Sequence, residues 1–398
     1  MLSQANLNPH MHSEFVYSGI GCDLSIYQLN SELAGIELKW RLQLPSKIQY
    51  AWRHSAKPFL YVACSNGSPN AQGDTHCVVT IALDDPLKGP YFYGNTVQLP
   101  ARPIHITLDQ LSRYALIAYN NPSSLTMHPI HSDGAIADAI TPIQPVKTGI
   151  YAHQTMVSPS NSVVVVVARG NNPKGNHPED PGSLEVFSYE SGQLQPTVSV
   201  APDGGYGFGP RHVDFHPTKP WLYVSLERQN TLHMFDYDLA HQTVSPKPSF
   251  VCSTLHEPDR ERPRQRPGTI HVHPNGATVY VANRASGEQL LSEETVFIGG
   301  ENNIAVFRID PITGEPKPIQ FVDTLGIVPR TFSLNKKGSI LIAANSVSMK
   351  GKGSARISVI PASLCVFKVN EDGTLVFNQK IDVDASLDPL FWMSIVAH

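Results

Sequence analysis

His153, Arg211, Glu227 and Arg284 occupy matching phases of a pattern that repeats along the chain, with Arg330 one repeat further on. One carboxylate among several cations can hold an anionic substrate and still leave a group for proton transfer. Flanking guanidiniums lower a carboxyl pKa, which makes Glu227 a weaker base and leaves His153 as the other acceptor. The opposing structural reading is an Arg211–Glu227 ion pair that merely ties strands together, beside a hydrogen-bonded histidine. His212 follows Arg211, Asn283 precedes Arg284, Asn345 precedes Ser346 at the Glu227 phase, and Tyr206 lies in the glycine-rich GGYGFGP (204–210); these four join Arg330 as substrate-binding candidates.

The elements that must position them repeat at roughly 50–60 residues, a period of short antiparallel strands that marks a β-propeller. The unit GPRHVDFHPTKPWLYVSLE (209–227) is a strand, a Pro/Lys turn and a second apolar strand. Looser copies end at Ser65, Asn121, Gly170, Arg284 and Ser346, and third strands such as TLHMFDYD and NIAVFRID follow. Six units align whole. A seventh is split, with SLDPLFWMSIVAH supplying a first strand at the C-terminus and EFVYSGI a second strand near the N-terminus. The expected fold is therefore all-β: a seven-bladed β-propeller of four-stranded antiparallel blades, one domain over 1–398, its ring closed by N- and C-terminal strands sharing one blade.

First strands line the axis of a propeller, so equal phases converge there. The phase of Arg211 reads Gln49, Ile104, His153, Arg211, Gly268, Arg330, Leu390. The next reads Tyr50, His105, Gln154, His212, Thr269, Thr331, Phe391. The end of the second strand reads Ser65, Asn121, Gly170, Glu227, Arg284, Ser346. Packing alone selects no such concentration of His, Arg and Glu, because a charge in a narrow channel is costly unless paired. Insertions after Gly170, Arg284 and Asn345 fall on one face and are expected as loops shaping a pocket. HEPDRERPRQRPG (256–268) reads as a solvated connection, and the HP histidines His216 and His273 as turn residues.

With 30 Lys+Arg against 34 Asp+Glu, a formal charge of −4 provides no basic field for nucleic acid. Five cysteines without CxxC spacing fit a reducing compartment. MLSQANLNPHMHSE has no basic–apolar leader pattern, and no run of ~18 apolar residues occurs. These features predict a cytoplasmic protein off the membrane, monomeric or weakly homo-oligomeric. No motif has metal-ligand spacing or a nucleophile elbow, so no metal, no cofactor and no covalent nucleophile is expected.

GFGPRHVDFHP with YVSLE, then YVANR, then VPRTFSLNKKGSILIAAN, preceded by AHQTMVSPS, resembles the lactonase family of seven-bladed propellers, of the 6-phosphogluconolactonase and carboxy-cis,cis-muconate cyclase type. The matching pieces cover most of 100–370 in the family's order. The resemblance implies His153 as the functional histidine, Arg211 and Arg284 as the arginines and Glu227 as the glutamate. It implies hydrolysis of a small carboxylated or phosphorylated sugar-acid lactone, with formation of a muconolactone by a cyclase as the second activity. A non-catalytic binding propeller is the reading from another class. ARGNNPKGNHPED replaces the family's DLGxD-like segment and the insertion after Arg284 is long, so the substrate itself stays open.

Overall fold

A computed structural model describes residues 14–68, 71–84, 88–291, 293–352 and 357–397. Its strands form seven blades around an axis. Blade 1 runs outward from Leu390–Ala397 through Glu14–Ile20 and Asp23–Asn30 to Gly35–Gln43. Blade 2 comprises Ile48–Arg53, Phe59–Ser65, His76–Ala82 and Tyr91–Gln98. Blade 3 has three strands, Pro103–Leu108, Tyr114–Asn120 and Ser123–Pro129, with single bridges Met127–Ile140 and Ile130–Ile136 at its outer edge. Blade 4 begins with Ala152–Val157 and Val163–Ala168, blade 5 with Pro210–Phe215 and Trp221–Leu226. Blade 6 begins with Gln265–Val272 and Thr278–Ala285, blade 7 with Ile327–Leu334 and Ile340–Val347.

The N- and C-terminal strands pair antiparallel, Phe15 opposite Val396 and Ser18 opposite Met393. The seven innermost strands touch in cyclic order, blade 7 meeting blade 1 and blade 1 meeting blade 2. Residues 1–13, on which the leader reading rested, lie outside the described residues.

Second strands such as VVVVVA (163–168) are buried along their whole length, because both faces of each blade are covered. The hydrophobic core is accordingly divided into seven clusters, each filling the gap between two adjacent blades. Buried tyrosines and the HP histidines stitch neighbours together. Tyr223 Oη donates to Gly314 O and Tyr280 Oη to Gly373 O, both at 2.8 Å. His216 Nε2 lies 3.0 Å from Gly276 O, and His273 Nε2 3.0 Å from Gly338 O. Gly276 and Gly338 take φ of 75° and 74°, and a Cβ at either would strike the histidine ring.

Two insertions expected as loops are β-structured. Hairpins Glu288–Leu291/Glu294–Phe297 and Met349–Lys352/Ile357–Ile360 join through a parallel bridge, Phe297 opposite Gly351, into a small accessory sheet. That bridge pairs backbone groups at the facing edges of the two hairpins. The connection 256–268 is exposed over 256–264 as expected, except at Arg262, and 265–268 already belong to the inner strand of blade 6. Arg262 is part-buried against Glu301 at 2.7 Å, and that carboxylate accepts the backbone N–H groups of His256 and Glu257.

Candidate active site

Every innermost strand carries a β-bulge at the same place. Pro210 faces Leu226 and His212 faces Ser225, so Arg211 is the extra residue. The same register shift singles out Gln49, Ile104, His153, Arg330 and Phe391, while in blade 6 Gly268 and Thr269 together face Ala282. A bulge re-aims its side chain out of the pleat, here into the axial channel. This register corrects the expected phases by one residue in three blades. Phe391 replaces Leu390 and Trp392 replaces Phe391 in blade 1. At the ends of the second strands Asn120 replaces Asn121 and Arg169 replaces Gly170. The backbone agrees: Glu227 N donates to Gly209 O, and Arg169 N donates to Tyr151 O.

Glu227 is buried and caged by arginines. Arg211 Nη1 donates to Oε2 at 2.9 Å, Arg266 Nη1 to Oε1 at 3.0 Å, and Arg284 Nη2 to Oε1 at 3.5 Å. Arg169 Nη1 stands 3.9 Å from Oε2. The Arg211–Glu227 pair is thus real, but three further guanidiniums from blades 4 and 6 surround it, which a simple strap between strands does not need. Burial pushes the Glu227 carboxyl up, yet Arg211, Arg284, Arg169 and Arg266 outweigh it and hold the group far below the carboxylate range.

His153 lies beside the cage. Its Nδ1 is buried with no hydrogen-bond partner among the described residues. Burial, then repulsion from Arg211, His212, Arg169 and Arg330, drives its pKa well below 6.5, so the ring is neutral at pH 7. His212 sits 5.1 Å from His153 and 6.3 Å from His105, ring centre to ring centre, and Tyr50 covers His105 at 4.1 Å. The ring of Tyr151 is stacked 6.5 Å from His153 and carries the Arg169 guanidinium 3.9 Å above its face. Tyr151 has φ of 62°, and Gly209 and Val328, at the same position of blades 5 and 7, have 50° and 55°. A left-handed tyrosine stores strain, and such strain concentrates at functional sites.

The remaining predicted residues divide. Arg330 reaches the channel, its guanidinium 3.8 Å over the Phe391 ring. Tyr206 is 59% exposed on the loop before blade 5. Asn283 and Asn345 do not face the channel: they point into the blades. Asn283 Nδ2 donates to Thr254 O and Asn303 Oδ1, and Asn345 Nδ2 to Thr324 O and Ser363 Oγ. They align with Leu226, one residue short of Glu227, where alternation turns the side chain away.

Sequence reasoning missed Arg169, Arg266, Arg102 and Tyr151. The last three share one phase, the residue just before the Pro103/Ala152/Pro267 position that precedes the bulge, and reading that column would have found them. The insertion after Gly170 is anchored beside the cage: Glu179 pairs with Arg228 and accepts Gly207 N at 2.5 Å. Among the described residues no group of three His, Cys, Asp or Glu is arranged to hold a metal.

The profile of the family described as "Lactonase, 7-bladed beta-propeller" matches residues 17–356. The chain belongs to the lactonase family of seven-bladed β-propellers. Within that family it is similar to a 6-phosphogluconolactonase of Bacillus subtilis, 25% identical over 272 residues, covering 66% of this chain and 70% of the relative. A 6-phosphogluconolactonase of Pectobacterium atrosepticum is 25% identical over 341 residues, covering 84% and 88%. The structure of the periplasmic gluconolactonase of Pseudomonas aeruginosa superposes with a TM-score of 0.71 over 97% of this chain and 99% of that one, at 18% identity, and so shares its fold.

Proposed function

We propose that this chain hydrolyses a lactone that bears an anionic group, as its 6-phosphogluconolactonase-named relatives suggest. The observation that carries this reading is the Glu227 carboxylate held by four guanidiniums beside a neutral, buried histidine on the propeller axis. Four cations to one anion leave net positive charge facing the channel, where a lactone carbonyl would gain charge on becoming tetrahedral. Water adds to the acyl carbon and gives its proton to His153; the ring C–O bond then breaks and the proton passes to the departing alkoxide. Glu227 keeps the guanidiniums in place, because both of its oxygens already accept hydrogen bonds and its basicity is low. An incoming anion offsets the repulsion that depresses His153 and so strengthens that base as the substrate binds.

The five unpaired cysteines fit a reducing compartment, and we place the reaction in the cytoplasm. No described helix is long and apolar enough to cross a membrane. The test measures acid release from 6-phosphoglucono-δ-lactone and from a carboxymuconolactone above the spontaneous rate. Hydrolysis that is lost in His153→Asn supports the reading. Turnover of neither compound, or formation of a muconolactone from the open diacid instead, removes it.

A further inference from the structure

Arg102 and Arg330 differ from the arginines around Glu227. Neither has a carboxylate partner among the described residues, and each is fixed by the nitrogen nearest its stem. Arg102 is 7% exposed, and its Nε donates to Gln49 Oε1 at 2.8 Å. Gln49 is itself held by its amide on Lys47 O and Ser65 O, both at 3.2 Å. Arg330 Nε donates to Phe391 O at 3.1 Å while its guanidinium lies flat on the Phe391 ring. Both side chains therefore have little freedom, and their terminal N–H forks are not used by any ion pair of the described protein. A buried guanidinium without a counter-charge is unfavourable on its own, so such forks await an anion.

We propose that Arg102, Arg330 and the Tyr151 hydroxyl form a second oxyanion subsite, which binds a phosphate or carboxylate that the substrate carries away from its lactone ring. The inference rests on the lactonase reading for what the substrate is, but not for whether the subsite binds an anion. Tyr151 joins the two regions: its ring lies under Arg169 of the Glu227 cage, and it occupies in blade 4 the phase that Arg102 occupies in adjacent blade 3. Burial and mutual repulsion already depress Arg330 to about 9, with Arg211 and Arg102 the repelling neighbours, so a bound anion relieves both. Arg102 enters from blade 3 and Arg330 from blade 7, flanking the channel from either side of blades 1 and 2. Fixed, planar donors of this kind read an oxyanion with little loss of freedom on binding.

The experiment has a kinetic and a binding arm. Rates are compared on 6-phosphoglucono-δ-lactone, which has a remote oxyanion, and on glucono-δ-lactone, which has none. Arg102→Gln and Tyr151→Phe are set against wild type and the exposed control Lys350→Ala. Arg102→Gln is expected to raise KM for the phosphorylated lactone by at least about tenfold, with kcat changed little and the neutral lactone unaffected. Equal losses on both lactones, or none on either, overturn the subsite. Calorimetric titration with inorganic phosphate, without turnover, is the second arm. Binding that weakens at least about tenfold in Arg102→Gln and persists in Arg284→Gln supports the subsite even if wild type hydrolyses neither lactone. Binding that persists in Arg102→Gln and is lost in Arg284→Gln assigns the anion to the Glu227 cage and overturns it, as does no binding at all. Unfolding curves of each variant accompany both arms, and Arg330→Gln, expected to reproduce Arg102→Gln, guards against a variant that fails to fold.

Discussion

Glu227 is a carboxylate that cannot easily take a proton, and His153 is a histidine that cannot easily keep one. Opposite environments have separated the two roles that the residue types alone left joined. His153→Asn is expected to lower kcat by on the order of 10²–10⁴ with little change in KM. Glu227→Gln should lower kcat/KM and also depress Tm, because it leaves four guanidiniums facing one another; removing one partner of a buried pair costs about 3–5 kcal/mol. A Glu227→Gln protein with unchanged Tm would contradict the caging role. The pH profile follows from the sign of the His153 shift. A pKa lowered below 6.5 keeps the acceptor form populated as acid is added, so kcat/KM should stay level from about pH 8 to 6.5 and fall only well below that. A limb centred at 6.5 in initial-rate measurements would show that His153 is not depressed in the working enzyme.

At the scale of elements, the bulge does what the strand cannot. A regular inner strand would turn alternate residues into neighbouring blades; one extra residue per strand delivers His153, Arg211 and Arg330 to the axis together. The left-handed turn ahead of the strand in blade 4 adds Tyr151 to the same wall. Replacing Tyr151 by glycine separates its backbone from its side chain. Glycine accepts φ of 62° without strain, so Tm should hold within a few degrees while KM for an anionic lactone rises. A large drop in Tm would mean that the tyrosine ring mainly supports the fold. The accessory sheet predicts the opposite kind of result. Lys350 pairs with Glu294 across its two hairpins at 2.7 Å with both side chains exposed, and Lys350→Ala should change stability by less than ~1 kcal/mol.

For the whole molecule, ring closure makes stability collective. Removing 390–397 would take away an inner strand that buries Leu390, Trp392, Met393 and Val396 and would expose the edge of Glu14–Ile20. Such a truncation is expected to unfold or aggregate as a whole; an intact thermal transition at the wild-type temperature would refute closure through these strands. Acid is the second global lever. Burial lowers His105 to about 3 and His233 to about 4, so both are neutral in the folded chain and charge on unfolding. A lowered histidine contributes its full stability above 6.5 and loses it as pH falls from there, at roughly 1.4 kcal/mol per pH unit for each group. Glu227, also lowered, adds a further loss below the ordinary carboxylate range. Tm should therefore be flat near neutrality, decline from about pH 6.5, and decline less steeply in His105→Leu when followed by scanning calorimetry.

The repeat, the split seventh blade and the four residues His153, Arg211, Glu227 and Arg284 were legible in the sequence, because packing around an axis imposes one pattern on every blade and a charged exception stands out against Val, Ile and Tyr. Periodicity also separated the HP histidines, which serve turns, from those on the axis. What it could not supply was register to a single residue. A one-residue slip reverses the face of every side chain, and it hid Arg169 behind Gly170 and misplaced Asn283 and Asn345, whose amides serve the blades. Arg266, Arg102 and Tyr151 were missed for another reason: they share a column, one residue ahead of Pro267, Pro103 and Ala152, that was not among those read. Arg102 and Tyr151 come from turns ahead of the strands in blades 3 and 4 and Arg266 from the first residues of the strand in blade 6, and only closure of the ring brings them to one axis. Charge balance belongs to that level too, since the number of guanidiniums facing Glu227 is a property of three blades meeting rather than of any segment of chain.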